Sequence, residues 1–289
     1  LHSNAAERAS RLMRRAPVVA RHLEGTLARA HSSMSWKSHG TSHVTMIEAL
    51  QRGGKIRTPA VYEAMRATDR ACYVAPAHFS NSAASSMRNH HDVSYSDRPQ
   101  PIGHNATISA PHMHAKQLEL LVSCCAQGHR VLDVGAGSGY ITACLARMVG
   151  HSGVVVGIEH IPELVELAEG NLRRDDATLL TSGRVTLLCR DGRQGASALG
   201  PYDAIHVGAA AAELPTALID QLAPGGRLVC PVGCKGALQR LTIVDRDLEG
   251  RVTQHGGQSV IFVPLTDPVS QQAVGSSRKS PCTVWKQHS

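Results

Sequence analysis

The sequence predicts an α/β fold: a doubly wound, mostly parallel sheet with antiparallel strands at its C-terminal end and a small helical region in front. Three observations lead there. Beyond residue 111, short apolar runs alternate with amphipathic stretches of helical period, the pattern of parallel strands covered by helices on both faces. A glycine-rich turn joins the first apolar run to the helix after it. Toward the C-terminus, two apolar stretches sit in polar, Gly-containing sequence, as antiparallel strands closing a sheet edge do.

Residues 1–33 contain six Arg and two Glu and are rich in Ala and Ser. That composition fits a disordered extension or a mitochondrial-type targeting segment. Residues 34–289 read as one domain: a helical part over 34–110 carrying an inserted loop at 78–94, a core over 111–235, and C-terminal strands with a tail over 236–289. In the helical part, Thr45–Gln51 has helical spacing and stops at Gly53-Gly54; Thr58-Pro59 reads as an N-cap with Pro at the first helical position, opening a helix to about Thr68. Residues 78–94 are polar and aperiodic, hence a surface loop. In the core, helix Pro111–Cys125 precedes strand Arg130–Val134, helix Tyr140–Met148, strand Val154–Ile158, helix Pro162–Arg174, strand Val185–Cys189, strand Asp203–Val207, helix Leu214–Leu222 and strand Arg227–Val232. Leu241–Asp245 and Ser259–Val263 are the expected antiparallel strands.

Composition narrows the function. The 289 residues are 42% hydrophobic but only 3% aromatic, so the core must be aliphatic. The net charge of +7 includes +4 from residues 1–33, which leaves too little for a concentrated nucleic-acid-binding face. No apolar run is long enough for a transmembrane helix. The eight cysteines form no C-x-x-C and sit mostly among apolar residues, as small buried hydrophobes of a reducing compartment do. His112-x-His114 and His90-His91 lack acidic or Cys partners at ligand spacing, so no metal site is expected. The expected location is cytoplasmic, or mitochondrial if residues 1–33 are a native presequence, and the expected state is a monomer.

The sharpest local signal is Val131-Leu132-Asp133-Val134-Gly135-Ala136-Gly137-Ser138-Gly139, between a strand and a helix. Alone, G-x-G-x-G is weak; Tyr140 stands where the dinucleotide fingerprint has its last Gly. Acids sharpen it. Asp133, two residues before the turn, can orient the loop and face a ligand ammonium. Glu159 ends the second strand, where a carboxylate accepts both hydroxyls of a ribose. Asp191-Gly192 ends the third and can meet an adenine amino group. Each acid alone has N-capping as its alternative, but three at successive strand ends, with no Lys or Arg in the loop to hold phosphate, suit S-adenosyl-L-methionine, which carries a ribose, an adenine and an amino-acid end. The fold expected is thus Rossmann-like, and its glycine loop resembles that of many methyltransferases, which implies a Rossmann-like S-adenosylmethionine methyltransferase fold.

The segment Asp97–Ala115, with its run Ala106-Thr107-Ile108-Ser109-Ala110-Pro111-His112-Met113-His114, closely resembles the signature of protein-L-isoaspartate O-methyltransferases. Asp133–Gly139, Gly157–Leu164, Asp191-Gly192-Arg193, Pro201–Ala210, Pro224–Leu228 and Val263–Asp267 are similar too, and Met34–Ser38 looks like the family's start. The resemblance covers about Met34 to Gln271. It implies methyl transfer from S-adenosyl-L-methionine, leaving S-adenosyl-L-homocysteine, to the α-carboxyl of isoaspartyl residues in proteins and peptides, with D-aspartyl residues secondary. It places the functional Ser on Ser109 and the cofactor contacts on Thr107, Ile108, Ser109, His114, Asp133, Gly135, Ala136, Gly137, Ser138, Glu159, His160, Asp191, Gly192, Thr266 and Gln271. Departures are Glu159, where many members have Asp, the long 78–94 loop, and the extension before Met34.

The chemistry agrees. A carboxylate acceptor is already ionised at neutral pH, so alignment and exclusion of water are what a catalyst must supply. Ser109 can orient the acceptor by a hydrogen bond; its alternative is to cap the helix opening at Pro111. No His–Asp relay is evident beside it in sequence. The competing function, a nucleic-acid methyltransferase, fits poorly: Val207-Gly208-Ala209-Ala210-Ala211-Ala212 has neither a Pro pair nor an aromatic to stack a base. A nicotinamide dehydrogenase and a non-catalytic cofactor-binding module rank lower still.

Overall fold

The computed structural model describes residues 38–74, 93–234 and 237–266. Residues 1–33, Met34–Lys37, loop residues 78–92 and Gln271 lie outside them.

Seven strands form one sheet in the order β5-β4-β3-β6-β7-β8-β9. β3 (Arg130–Val134), β4 (Val154–Glu159), β5 (Val185–Cys189), β6 (Tyr202–Val207) and β7 (Leu222–Val232) run parallel. β8 (Gln239–Arg246) and β9 (Val252–Val260) continue antiparallel. The chain lays β3, β4 and β5 outward, then returns to place β6 against the other side of β3. That reversal is the switch point where an open α/β sheet forms its ligand crevice, and everything functional gathers there.

The sheet is buried on both faces because alternate residues of each strand feed two cores. Val131, Val155, Ala204 and Val229 pack on one side; Leu132, Val134, Val156, Ile158, Ile205 and Val207 pack on the other. The first core is shared with α1 (His43–Arg52), α2 (Pro59–Ala67), α3 (Pro111–Leu121), α4 (Tyr140–Met148) and α5 (Pro162–Asp176). Ser42 opens α1 with a reciprocal capping box to Thr45. At α2 the expected Thr58 side-chain cap is absent. The buried Glu119 carboxylate of α3 instead accepts the N–H groups of Arg57 at 2.7 Å and Thr58 at 2.9 Å, tying the two helices together.

Three elements differ from expectation. Within the supposedly helical part, Gln100–Gly103 (β1) and Ala106–Ile108 (β2) form a hairpin turned by His104 and Asn105, both at positive φ (51° and 56°) as a type I′ turn requires. Strands of four and three residues leave too little alternation to detect. The helix expected over Leu214–Leu222 shrinks to Thr216–Ile219, and β7 takes over at Leu222. β9 starts at Val252 rather than Ser259, because its residues are exposed along nearly their whole length and show no apolar period. The cysteines also need correction: Cys234 is disulfide-bonded, and Cys189 is exposed.

Candidate active site

β3 ends in the Gly135–Gly139 turn, and α4 begins at Tyr140. Gly139 occupies the N-cap position with φ 86°, and a Cβ there would sit 3.3 Å from that of Ala168 on α5, so the turn needs glycine on both conformational and packing grounds. The loop is pinned to the next strand: the N–H groups of Gly135 and Ala136 donate to the Ile158 carbonyl at 2.8 and 2.9 Å.

Two adjoining clefts, of about 360 and 510 Å³, flank this turn and share Thr107, Gly135, Gly137 and Gly208. The first brings together Thr107, Ile108, Ser109, His114, Asp133, Gly135, Ala136, Gly137 and Ser138 from the expected set, with Gln117, Tyr140 and His206 added. The second holds Glu159, His160 and Gly192, with Ile102, Ala209 and Val263-Pro264-Leu265 as apolar walls. Pro264 reaches the site through a bridge to Ala210, just past β6.

Glu159 is buried and carries three backbone hydrogen bonds. Its Oε1 accepts from His160 at 2.8 Å and Ile161 at 3.2 Å; its Oε2 accepts from Gly137 at 3.1 Å. The carboxylate therefore fixes the loop as well as lining the cleft. Asp133 departs from expectation. Its side chain is 1% exposed, with Oδ1 accepting from His206 Nδ1 at 2.7 Å and Oδ2 from the Thr142 hydroxyl at 2.5 Å. Register explains the pairing, since Asp133 and His206 are direct partners across β3 and β6. A carboxylate only accepts, so Nδ1 holds the His206 proton. Nε2 is then left buried with no partner among the described residues.

His114 lines the same cleft. Arg70, fully buried, places Nη1 3.4 Å from His114 Nδ1 and donates Nε–H to the Ser94 carbonyl at 3.0 Å. A guanidinium only donates, so Nδ1 accepts and neutral His114 carries its proton on Nε2. Burial, and then the Arg70 charge, hold His114 well below the usual histidine range. Burial lowers Arg70 itself to about 10, which leaves it charged at neutral pH. The Tyr140 ring packs 4.8 Å from the His114 ring, and Gln117 Nε2 is buried without a partner among the described residues.

Ser109 is half-buried, and its hydroxyl bonds no other described residue. It does not cap α3. The N-cap position is Ala110, and the His112 N–H is met by the buried Asp97 carboxylate at 2.9 Å, which also accepts from His112 Nδ1 at 2.8 Å. Asp191 lines neither cleft. Its carboxylate caps the Gly192–Gln194 turn and pairs with Arg193 at 2.7 Å, the hydrogen bond that holds it below the usual carboxylate range. Thr266 follows Leu265 and also lines neither cleft. Sequence reasoning missed Arg70, Gln117, Thr142 and Tyr140 as parts of the site. Arg70 and Thr142 carry no local signal, since each acts through a residue distant in the chain. Among the described residues no group of three His, Cys, Asp or Glu side chains could hold a metal ion.

Comparison with known proteins bears directly on this site. The model of the protein-L-isoaspartate(D-aspartate) O-methyltransferase family matches residues 41–270. A protein-L-isoaspartate O-methyltransferase of Caenorhabditis elegans is 42% identical over 238 residues, covering 82% of this chain and 98% of that one. Protein-L-isoaspartate O-methyltransferase 1 of Arabidopsis thaliana is 48% identical over 227 residues, covering 78% and 92%. Among solved structures, a Plasmodium falciparum protein of the same description, in complex with S-adenosyl-L-homocysteine, superposes with a TM-score of 0.68 at 33% identity over 78% of this chain and 98% of that one. A second protein-L-isoaspartate O-methyltransferase structure shares the fold, with a TM-score of 0.61 at 24% identity over 75% and 64%. With the family's match spanning the switch-point clefts and the hairpin that closes over them, the chain belongs to the protein-L-isoaspartate(D-aspartate) O-methyltransferase family.

Proposed function

We propose that this enzyme transfers the methyl group of S-adenosyl-L-methionine to the α-carboxyl of L-isoaspartyl residues, and secondarily of D-aspartyl residues, in damaged proteins and peptides. The ester then closes to a succinimide that reopens in part to normal aspartate. The observation that carries this reading is the convergence of Ile108-Ser109, at the end of the hairpin, with the Gly135–Gly139 turn on one cleft.

The residues present fit the cofactor. Glu159 lines the second cleft with Oε2 available for further acceptance, since that oxygen accepts only the Gly137 N–H among the described residues. The buried, unpartnered Nε2 of His206 awaits a donor in the first. Bound there, the cofactor supplies a methyl group on a positively charged sulfur. We read Thr107, Ile108, Ser109, His114, Asp133, Gly135, Ala136, Gly137, Ser138, Glu159, His160 and Gly192 as its surroundings. Asp191 would contribute only by sharing its pair with Arg193. Thr266 and Gln271 remain expectations from family resemblance.

Ser109 is assigned to orient the acceptor. Its hydroxyl is free to donate one hydrogen bond to a carboxylate that needs no base, because a free α-carboxyl has a pKa of about 3.3–3.7. Substrate is read as protein, not nucleic acid, since no aromatic follows β6 to stack a base. The enzyme is read as a monomer acting in the cytoplasm, or in mitochondria if residues 1–33 direct it there. No helix among the described residues is long and apolar enough to cross a membrane.

The test is methyl transfer to two peptides identical except for isoaspartate or aspartate at one position. Methylation of the first alone is expected; equal rates on both would overturn the assignment.

A further inference from the structure

We infer that His206, poised by Asp133, is the acceptor for the ammonium group of the cofactor's amino-acid end. The inference rests on the S-adenosyl reading above and adds the residue that receives this charge.

Asp133, expected to face the ammonium, lines the cleft but is turned to other partners. Each of its oxygens already accepts one hydrogen bond, from His206 Nδ1 at 2.7 Å and from Thr142 Oγ1 at 2.5 Å, and the side chain is 1% exposed. Its charge acts at the cleft through the imidazole. In the neutral ring, whose single proton sits on Nδ1 against Asp133, Nε2 carries a lone pair. His206 is 3% exposed, lines the first cleft, and leaves Nε2 without a partner among the described residues. A buried acceptor left unmet costs free energy, so a donor from the ligand is the chemistry it fits. An S-adenosyl ligand offers three kinds of donor. The ribose hydroxyls belong with Glu159 in the second cleft, and adenine lies beyond the ribose. The ammonium remains. The same cleft also presents donors in His114 Nε2–H and Gln117 Nε2, with the Arg70 charge behind His114. Those donors suit the ligand's carboxylate and leave His206 Nε2 for the cation.

The substitution His206→Asn separates the two hydrogen bonds. Its amide nitrogen takes the place of Nδ1 and keeps the bond to Asp133, while nothing replaces Nε2. Binding of S-adenosyl-L-homocysteine, its analogue lacking the amino group and its analogue lacking the carboxyl group is measured by calorimetry on wild type and variant, with melting temperature as a check on the fold. Wild type is expected to lose about 10- to 100-fold in affinity when the amino group is removed, the range of one charge-assisted hydrogen bond. His206→Asn should lose a similar factor for the intact ligand and bind the amino-free analogue as wild type does. His206→Gln, whose amide oxygen can rotate to the Nε2 position, should recover part of the loss. If the variant weakens intact and amino-free ligands equally, or shows coupling only to the carboxyl-free analogue, the inference is wrong. Absence of binding in wild type would instead refute the cofactor reading itself.

Discussion

Replacing Glu159 tests the loop and the cofactor together. The carboxylate meets three backbone N–H groups, at 2.8, 3.1 and 3.2 Å, and two of them, on Gly137 and Ile161, belong to the segments that follow β3 and β4. A hydrogen bond to a charged group contributes about 1.5–3 kcal/mol. Glu159→Ala should therefore weaken S-adenosyl-L-homocysteine binding by about 10- to 100-fold. It should also lower the melting temperature of the unliganded protein, since it strips the Gly137 N–H of its acceptor. Glu159→Gln is the more telling variant. If its single oxygen serves His160 and Ile161, its amide nitrogen faces the Gly137 N–H, donor against donor. Gln should thus rescue little, whereas Asp, which keeps two acceptors one methylene shorter, should rescue more. The order expected by calorimetry is Glu, then Asp, then Gln and Ala together. Unchanged affinity in Glu159→Ala would remove this residue from the ligand site, and Gln binding as well as Glu would refute the donor conflict.

Three further outcomes are expected. His114 is held neutral in the fold, so below about pH 6.5 the unfolded chain takes up a proton that the folded chain refuses. Stability should fall with pH there by up to about 1.4 kcal/mol per unit; denaturant titrations should show a shallower fall in His114→Gln, and identical slopes would contradict the burial argument. In single-turnover assays, kcat should stay nearly flat between about pH 6 and 8 because the acceptor is already ionised, and Ser109→Ala should lower it without changing the profile; a steep rise abolished in a His206 variant would reveal a protein base. Gly139→Ala should cost about 1–2 kcal/mol for its left-handed backbone plus repacking against Ala168, seen as a lower denaturation midpoint; a neutral change would mean the turn can relax.

Much of this was legible in the residues. The parallel strands were visible because burial on both faces makes them short continuous apolar runs, as in Val131–Val134. The Gly turn and the acid at the end of β4 declare themselves by position. What stayed hidden depends on contacts between distant residues. Asp133 and His206 are 73 residues apart and meet only because β6 returns to the side of β3. Arg70 and His114 are 44 apart and meet only once α3 packs against α1 and α2. Local alternatives were also undecidable: Asp191 proved to be a turn cap, whereas Ser109, equally plausible as a cap, was relieved of that task by Asp97. The exposed β9 escaped because a strand with no buried face carries no period.

The placement of charge matters for the chemistry proposed. An anionic carboxylate and a cationic methyl donor give two neutral products, so charge disappears as the transition state forms. Strong, direct ion pairing to either partner would stabilise the ground state more than the transition state and slow the transfer. The cleft avoids this arrangement. Its buried Asp133 stands behind the ring of His206, and its buried cation, Arg70, stands behind the neutral ring of His114. What the cleft presents is oriented side chains: the His206 ring, the His114 and Gln117 donors, and the Ser109 hydroxyl. Dipoles fixed by buried partners need no reorganisation during the reaction, and neutral ones hold an anionic nucleophile less tightly than a bare cation would. On this argument a variant that brings a full positive charge to the cleft, Ser109→Lys, should bind isoaspartyl peptide more tightly yet turn it over more slowly. A lower KM with a lower kcat is the signature, and a rise in kcat would show that charge stabilisation, rather than alignment, limits the enzyme.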